Sequence, residues 1–448
     1  MMNIDETIES KKSSIVVIGD LKLPTGWKVY RFRNLFKFGK GLNITKENLQ
    51  DDGIPCVNYG EVHSKYGFEV NPTKHELKCV SDDYVKKNRT SLLELGDFVF
   101  ADTSEDIEGS GNFTQLVAEV KTFAGYHTVI CRPVGDNNHR FLAYLLDSFS
   151  FRKQIRKSVK GVKVFSITKS ILKNTQLWLP DINYQILIAN FLDKKTAQLD
   201  EAIAIKEKQI SLLKERKQII IQKAVTQGLD PNVPMKDSGV YWIGLMPEHW
   251  KISKLGSCLS PVSIKNCPNL PLLSITREQG VIERDIEDQE SNHNFIPDDL
   301  TGYKLIRKGQ FGMNKMKAWQ GSYGVSKFTG IVSPAYYVFN FTISINPDFF
   351  NWAIRSKLYV SFFGSASDGV RIGQWDLSKS RMKNIPFLLP CEKEQILLAN
   401  FLDEKTAQID EVISIKENQI EKLKEYKTTL INSAVTGKIK ITPEMAEA

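Results

Sequence analysis

Residues 188–226 and 398–436 are two copies of one sequence, with about 25 of 39 aligned positions identical. Two unrelated amphipathic helices share a pattern but not this level of identity, so the chain is an internal duplication and its repeat unit is half its length. In the first copy apolar residues fall alternately three and four apart, at Leu192, Leu199, Ile203, Ile210, Leu213 and Ile220. The second copy answers with Leu402, Ile409, Ile413, Ile420, Leu423 and Leu430. This is a heptad seam, one partner helix wide. Both seams are interrupted at matching places, by Thr196, Lys206 and Lys217 and by Thr406, Lys416 and Lys427. Such interruptions sacrifice stability and fix register.

A lone heptad helix reads as a dimerisation device, but here the chain supplies its own partner of equal length, roughly 58 Å at 1.5 Å per residue. Connectivity asks for an antiparallel pair. A parallel one would stretch the linker 227–240, rich in Gly, Pro, Asn and Asp, to about its full reach. The expected register sets Lys206 across from Ile420, Lys217 from Ile409, and Lys416 and Lys427 from Ile210 and Leu199, with each ammonium extended to water.

Each long helix is preceded by a globular stretch. Pro24-Thr-Gly-Trp-Lys-Val is echoed by Pro247-Glu-His-Trp-Lys-Ile, and Trp27 and Trp250 read as core anchors. Short β-branched and aromatic runs bounded by turn residues predict strands at 54–59, 96–101 and 127–132, then 270–275, 309–313 and 335–341. Helices are expected at 140–156 and 348–363. Both halves then carry Gly-Val-basic, Lys-Ser, Lys-Asn and Leu-Pro in that order.

The fold class expected is α+β: two globular α/β domains separated by an antiparallel two-helix coiled coil built from the duplicated long helices. The domains run 1–180 and 241–390, the spacer helices 181–226 and 391–437, the linker 227–240 and a C-terminal tail 438–448.

At 448 residues with a net charge of +8, the chain is long enough for two full cores and basic enough to permit nucleic-acid binding. Its six cysteines show no metal-ligand spacing, which argues against a zinc site or a disulfide framework. No signal peptide or membrane span is legible, and a cytoplasmic location with no membrane partner is expected.

Two diverged domains on one invariant rod suit a target that repeats at fixed spacing, as duplex DNA does. From 151 to 180 there are eight Lys or Arg and no acid, and the equivalent stretch 355–383 is also net basic, as expected for phosphate contact. Lys160, Lys163, Lys169 and Lys173 in the first half are candidates, with Arg371, Lys379 and Lys383 in the second. Lys315, Lys317 and Gln320 lie in a Gly-flanked loop after a strand, from which they can reach base edges or phosphates. Tyr59 and Arg277 follow equivalent early strands.

Three segments carry a resemblance: Met-Lys-Asp-Ser-Gly-Val-Tyr-Trp-Ile-Gly at 235–244 leading to Pro-Glu-His-Trp at 247–250; Asn-Lys-Met-Lys-Ala-Trp-Gln-Gly at 314–321 with Gly-Ile-Val-Ser-Pro-Ala-Tyr at 330–336; and the two Ala-Asn-Phe-Leu-Asp helices. Over nearly its whole length the chain resembles the specificity (S) subunits of type I restriction-modification systems. The resemblance implies two target-recognition domains, each reading part of a split, asymmetric double-stranded DNA site. It also implies two methyltransferase (M) subunits docked on the helices and restriction (R) subunits in the full complex. No cofactor is expected on this chain; S-adenosylmethionine, ATP and Mg belong to the partners. The first domain departs from the pattern, with Ala-Asp-Thr-Ser-Glu-Asp at 101–106 where the second has its Lys-rich loop.

An intrinsic adenine methyltransferase would need an Asn/Asp-Pro-Pro-aromatic motif for the flipped base, but Asn71-Pro72 and Asn346-Pro347 are followed by Thr and Asp. No phosphate-binding G-x-x-x-x-G-K-[ST] loop is present. The chain therefore reads as non-catalytic. The alternative, a coiled-coil scaffold without sequence-specific DNA binding, leaves the two diverged domains unexplained.

Overall fold

The computed structural model describes residues 16–18, 21–161, 163–284, 296–371 and 374–447. The chain forms two compact units, Met1–Ile205 with Gln419–Ala448, and Lys206–Asn418. Val162 and the opening residues 1–15 lie outside the described residues.

In the first unit, five strands line up in the order Phe36–Phe38, Thr128–Pro133, Phe98–Ala101, Phe113–Leu116 and Phe68–Val70. All neighbours are antiparallel except the last pair, which is parallel. The second unit repeats the order with four strands, Leu259–Val262, Tyr336–Phe341, Phe311–Asn314 and Tyr323–Val325. Every residue of Phe98–Ala101 and of Phe311–Asn314 is buried, so these strands are covered on both faces.

Each unit closes on itself in the same way. Lys28–Arg31, just after Trp27, pairs antiparallel with Gln176–Leu179, just before the first long helix. Lys251–Lys254, after Trp250, pairs with Pro386–Leu389. Trp27 and Trp250 are both buried in the cores. The Trp250 indole N–H donates to Glu394 Oε2 at 2.9 Å, so its one polar atom is satisfied.

Where one helix is expected at 140–156, two form, His139–Asp147 and Phe149–Ser158. Ser148 breaks them: its backbone is extended, and its hydroxyl accepts from the Phe151 N–H at 3.3 Å as the cap of the second helix. The region 348–363 likewise divides into Pro347–Ile354 and Lys357–Ser365 around Arg355 and Ser356. The segment read as a linker contains a strand, Met235–Asp237, paired with Leu245–Pro247. The tail is also ordered by packing, with Ile441 buried and its N–H donating to the Tyr184 hydroxyl at 2.9 Å.

The long helices span Ile182–Gln227 and Glu392–Val435. Within the first unit Lys427 Nζ meets Asp200 at 2.7 Å, and within the second Lys217 Nζ meets Asp410 Oδ1 at 2.7 Å. A late residue of one helix thus faces an early residue of the other in both units, so the helices pair antiparallel. Leu192, Ile203, Ile210, Leu402, Ile413, Ile420 and Leu430 are buried, and Leu199, Leu213, Ile220, Ile409 and Leu423 are half-buried. Three of the seam lysines, Lys217, Lys416 and Lys427, find partners on the facing helix where free extension to water was expected. Lys217 and Lys427 reach carboxylates on the partner helix, and Lys416 reaches Gln209 Oε1 at 2.7 Å. Thr196 and Thr406 satisfy their hydroxyls by donating to the carbonyls of Leu192 and Leu402, each at 2.7 Å.

Among the described residues no helix is long and apolar enough to cross a membrane.

Candidate nucleic-acid interface

In the second unit the Lys-rich loop leaves the sheet at Asn314, whose side-chain oxygen accepts from the Met316 N–H at 3.1 Å. One turn of 3-10 helix, Ala318–Gln320, follows, and Gly321 ends it at φ 92°, a left-handed conformation that glycine adopts without strain. Two contacts pin the loop to the strand Gln374–Leu377. The Trp319 ring stacks on Trp375 with centroids 5.2 Å apart, and Lys315 Nζ lies 3.2 Å from Asp376 Oδ1. Lys317 stays exposed and Gln320 half-exposed.

The strand pairing Met313↔Tyr337 and Asn314↔Tyr336 brings a second lysine group beside this loop. Lys379 Nζ stands 4.6 Å from the centroid of the Tyr337 ring. Lys304 Nζ lies 5.9 Å from the same centroid and donates to the Tyr336 carbonyl at 2.6 Å. Burial, then the charges of Lys265, Lys379 and Lys315, holds the Lys304 ammonium below the usual lysine range. Lys315 and Lys379, singled out from sequence, thus both act on Lys304. Lys304, Lys265 and Tyr337 were not, because only strand pairing unites positions so far apart in the chain.

Other sequence candidates fall elsewhere. Arg277 sits in the turn between Leu273–Thr276 and Gly280–Glu283 with its side chain two-thirds exposed. Its backbone is held by Arg355, whose guanidinium donates to the carbonyls of Arg277 at 3.0 Å, Glu278 at 2.7 Å and Tyr323 at 2.6 Å. Arg355 is therefore committed internally, which thins the basic stretch that begins there. Lys383 is exposed and lays its stem against Gly256. Arg371 ends the strand Ser367–Arg371, and its side chain lies outside what the structure describes.

The first unit presents a different surface. Tyr59 opens the helix Tyr59–Ser64 and sits edge-on to His127 and Tyr126, at 5.5 and 5.6 Å between centroids. His127, at φ 55°, brings its Nδ1 to 3.2 Å from Asp102. The acidic loop is tied down: Thr103–Ser104 pairs with Phe165–Ser166, Asp102 C=O accepts from the Ile167 N–H at 2.8 Å, and Glu108 meets Arg156 at 2.6 Å. Arg152 pairs with Asp147 at 2.8 Å. Two of the eight cations in the acid-free stretch therefore neutralise carboxylates from outside it. Lys160 and Lys163 are exposed; Lys169 opens the helix Lys169–Asn174; and Lys173 Nζ lies 5.3 Å from the Phe38 ring centroid. This face mixes aromatic, acidic and basic groups where the second is predominantly basic. Among the described residues no group of three or more His, Cys, Asp or Glu could hold a metal.

Comparison with known proteins bears on what these surfaces contact. Residues 24–215 match the family described as type I restriction modification DNA specificity domain. The putative type I restriction enzyme MjaX specificity subunit of Methanocaldococcus jannaschii is 24% identical over 440 residues, covering 94% of this chain and 95% of that one. The MjaVIII specificity subunit of the same organism is 25% identical over 453 residues, covering 96% and 97%. In fold, the chain is similar to one solved in work on complex assembly and conformational transition of the type I R-M system, with a TM-score of 0.65, 15% identity, and coverage of 93% and 100%.

Proposed function

From membership of the type I restriction-modification specificity-subunit family, to which this chain belongs, we infer that it recognises an asymmetric, bipartite site on double-stranded DNA and delivers it to catalytic partners. The chain is the non-catalytic subunit. The observation that carries the bipartite reading is the duplication itself. Two domains share one strand order, one closing strand pair and one junction with the helix, yet present different loops, Asp102–His127 in one and Lys315–Asp376 in the other. A shared frame with unlike reading surfaces suits two unlike half-sites.

The two equivalent helices offer two equivalent docking positions, which supports a pair of methyltransferase subunits, with restriction subunits added in the full complex. S-adenosylmethionine, ATP and Mg would reside on those partners, and the assembly would work in the cytoplasm. Tyr59, Lys160, Lys163, Lys169, Lys173, Arg277, Lys315, Lys317, Gln320, Arg371, Lys379 and Lys383 are the proposed DNA-facing residues of this chain.

The test is sequencing of modified adenines in the host genome with the gene intact and deleted, paired with an assay of the purified chain. Deletion should remove modification at one bipartite asymmetric motif, and the isolated chain should transfer no methyl group from S-adenosylmethionine. Methyl transfer by the isolated chain, or an unchanged modification pattern after deletion, overturns the assignment.

A further inference from the structure

We propose that Lys265, Lys304, Lys315 and Lys379 form a clamp for backbone phosphates of duplex DNA, seated on Tyr337, and that this clamp is sequence-independent. The proposal rests on the DNA-recognition reading above and deepens it by separating residues that hold the backbone from those that read bases.

The geometry begins with two ammonium groups on one ring. Lys304 and Lys379 approach Tyr337 at 5.9 and 4.6 Å from its centroid. An aromatic ring attracts a cation through its quadrupole, which offsets part of the desolvation that a half-buried ammonium suffers. Lys265 is brought alongside by backbone bonds, since Leu305 N–H donates to Ile264 C=O at 2.7 Å and Asn266 N–H to Thr301 C=O at 3.0 Å. Asn266 makes that turn in the left-handed region, at φ 64°. Lys315 enters from the loop after Asn314.

The charges are not balanced within the group. Among the described residues the carboxylate paired with it is Asp376, against Lys315. Burial first, and then the charges of Lys265, Lys379 and Lys315, hold the Lys304 ammonium below its ordinary range. Three lysine charges acting on a fourth, half-buried one raise the energy of the folded chain, an arrangement that self-repulsion disfavours unless an anion occupies it. A phosphodiester is the anion a DNA-recognition domain meets, and lysine binds it as a point charge without reading sequence. The exposed Lys317 and half-exposed Gln320 differ in kind: they stand on the turn held by the Trp319–Trp375 stack.

The experiment compares the subunit co-purified with its methyltransferase partners, unaltered and carrying Lys304→Gln with Lys379→Gln. Binding is measured across salt concentrations to a duplex holding the genomic modification motif and to an unrelated duplex of equal length. The double variant should lower the slope of log K against log salt by between about 0.9 and 1.8 on both duplexes, one to two phosphates' worth of counterion release. The ratio between the duplexes should stay within about twofold. Its thermal midpoint should not fall, because like-charge repulsion is relieved, and Lys304→Arg should retain the unaltered slope. An unchanged slope with binding otherwise intact overturns the clamp and leaves the DNA reading standing. So does a slope loss on the motif duplex alone, which would make these lysines base readers. Failure of the unaltered complex to prefer the motif duplex removes both.

Discussion

Gln395 Oε1 accepts the backbone N–H of Asn346 at 2.8 Å while its Nε2 donates to the Pro390 carbonyl at 3.0 Å. Its duplicate Gln185 makes the same two bonds, to Asn138 N–H and Pro180 C=O, each at 3.0 Å. Asn346 and Asn138 cap helices through their own side chains. One buried amide therefore ties the start of a long helix to the cap of a domain helix, and the tie survives in both halves although the domains have diverged.

Replacing Gln395 by Leu keeps volume but orphans a part-buried N–H and a buried carbonyl. The expected loss is about 1–3 kcal/mol in denaturant unfolding of the full chain. Gln185→Leu should give a loss of similar size. A change below about 0.5 kcal/mol at either position would mean that water replaces the amide and the joint is not structural.

The antiparallel register is open to cross-linking within each unit. The ion pairs Asp200–Lys427 and Lys217–Asp410 place Ile203 beside Leu423 in the first unit and Leu213 beside Ile413 in the second. Cysteine pairs at either position should oxidise readily, read as a mobility shift that reductant reverses. Separately, Lys217→Met should alter stability by no more than about 1 kcal/mol, because its carboxylate partner is more than half exposed and the pair is screened by solvent.

The coil was legible because seam spacing is local: three- and four-residue steps, and lysines at matching interruptions, can be read without knowing the fold. The Asp200 and Asp410 partners of those lysines were not foreseen, since each lies one residue off the seam and is chosen by the facing helix. In the second unit Lys315 was legible as a Gly-flanked loop residue, whereas Lys304 becomes its neighbour only through the pairing of Phe311–Asn314 with Tyr336–Phe341. Arg355 misleads for the converse reason. A cation in a basic stretch looks available until the carbonyls of Arg277, Glu278 and Tyr323 are seen to consume it.

Stability of the first unit should depend on pH through His139. Burial lowers its pKa from the ordinary 6.5, against the opposing influence of Asp97. The folded state thus resists protonation more than the unfolded chain does. Its contribution is intact above the unfolded value and is lost as pH falls from about 6.5 toward the depressed folded value. Unfolding followed between pH 7 and 5 should show this slope, and His139→Gln should flatten it. An identical slope in the variant would assign the titration to another group.

Recognition by the two domains should be separable by mutation. Gln320 stands in a loop held by Trp319 on Trp375 and closed by Gly321, so truncating it leaves the loop backbone in place. Gln320→Ala should cost about 1–3 kcal/mol in binding where a base contact is lost, felt as relaxed preference in one half of the site only. Lys315→Ala, which removes a member of the phosphate group around Tyr337, should instead lower the salt slope with the preference kept, while Gln320→Ala should leave the slope unchanged. In the first domain Lys160 and Lys163, exposed on either side of Gly161, should act on salt dependence alone. Randomised-site selection with each variant complex, followed by binding at two salt concentrations, reads both effects. Equal loss of preference across both halves from a single substitution would show that the domains do not read independently, and would return the divergence of their loops to a difference without function.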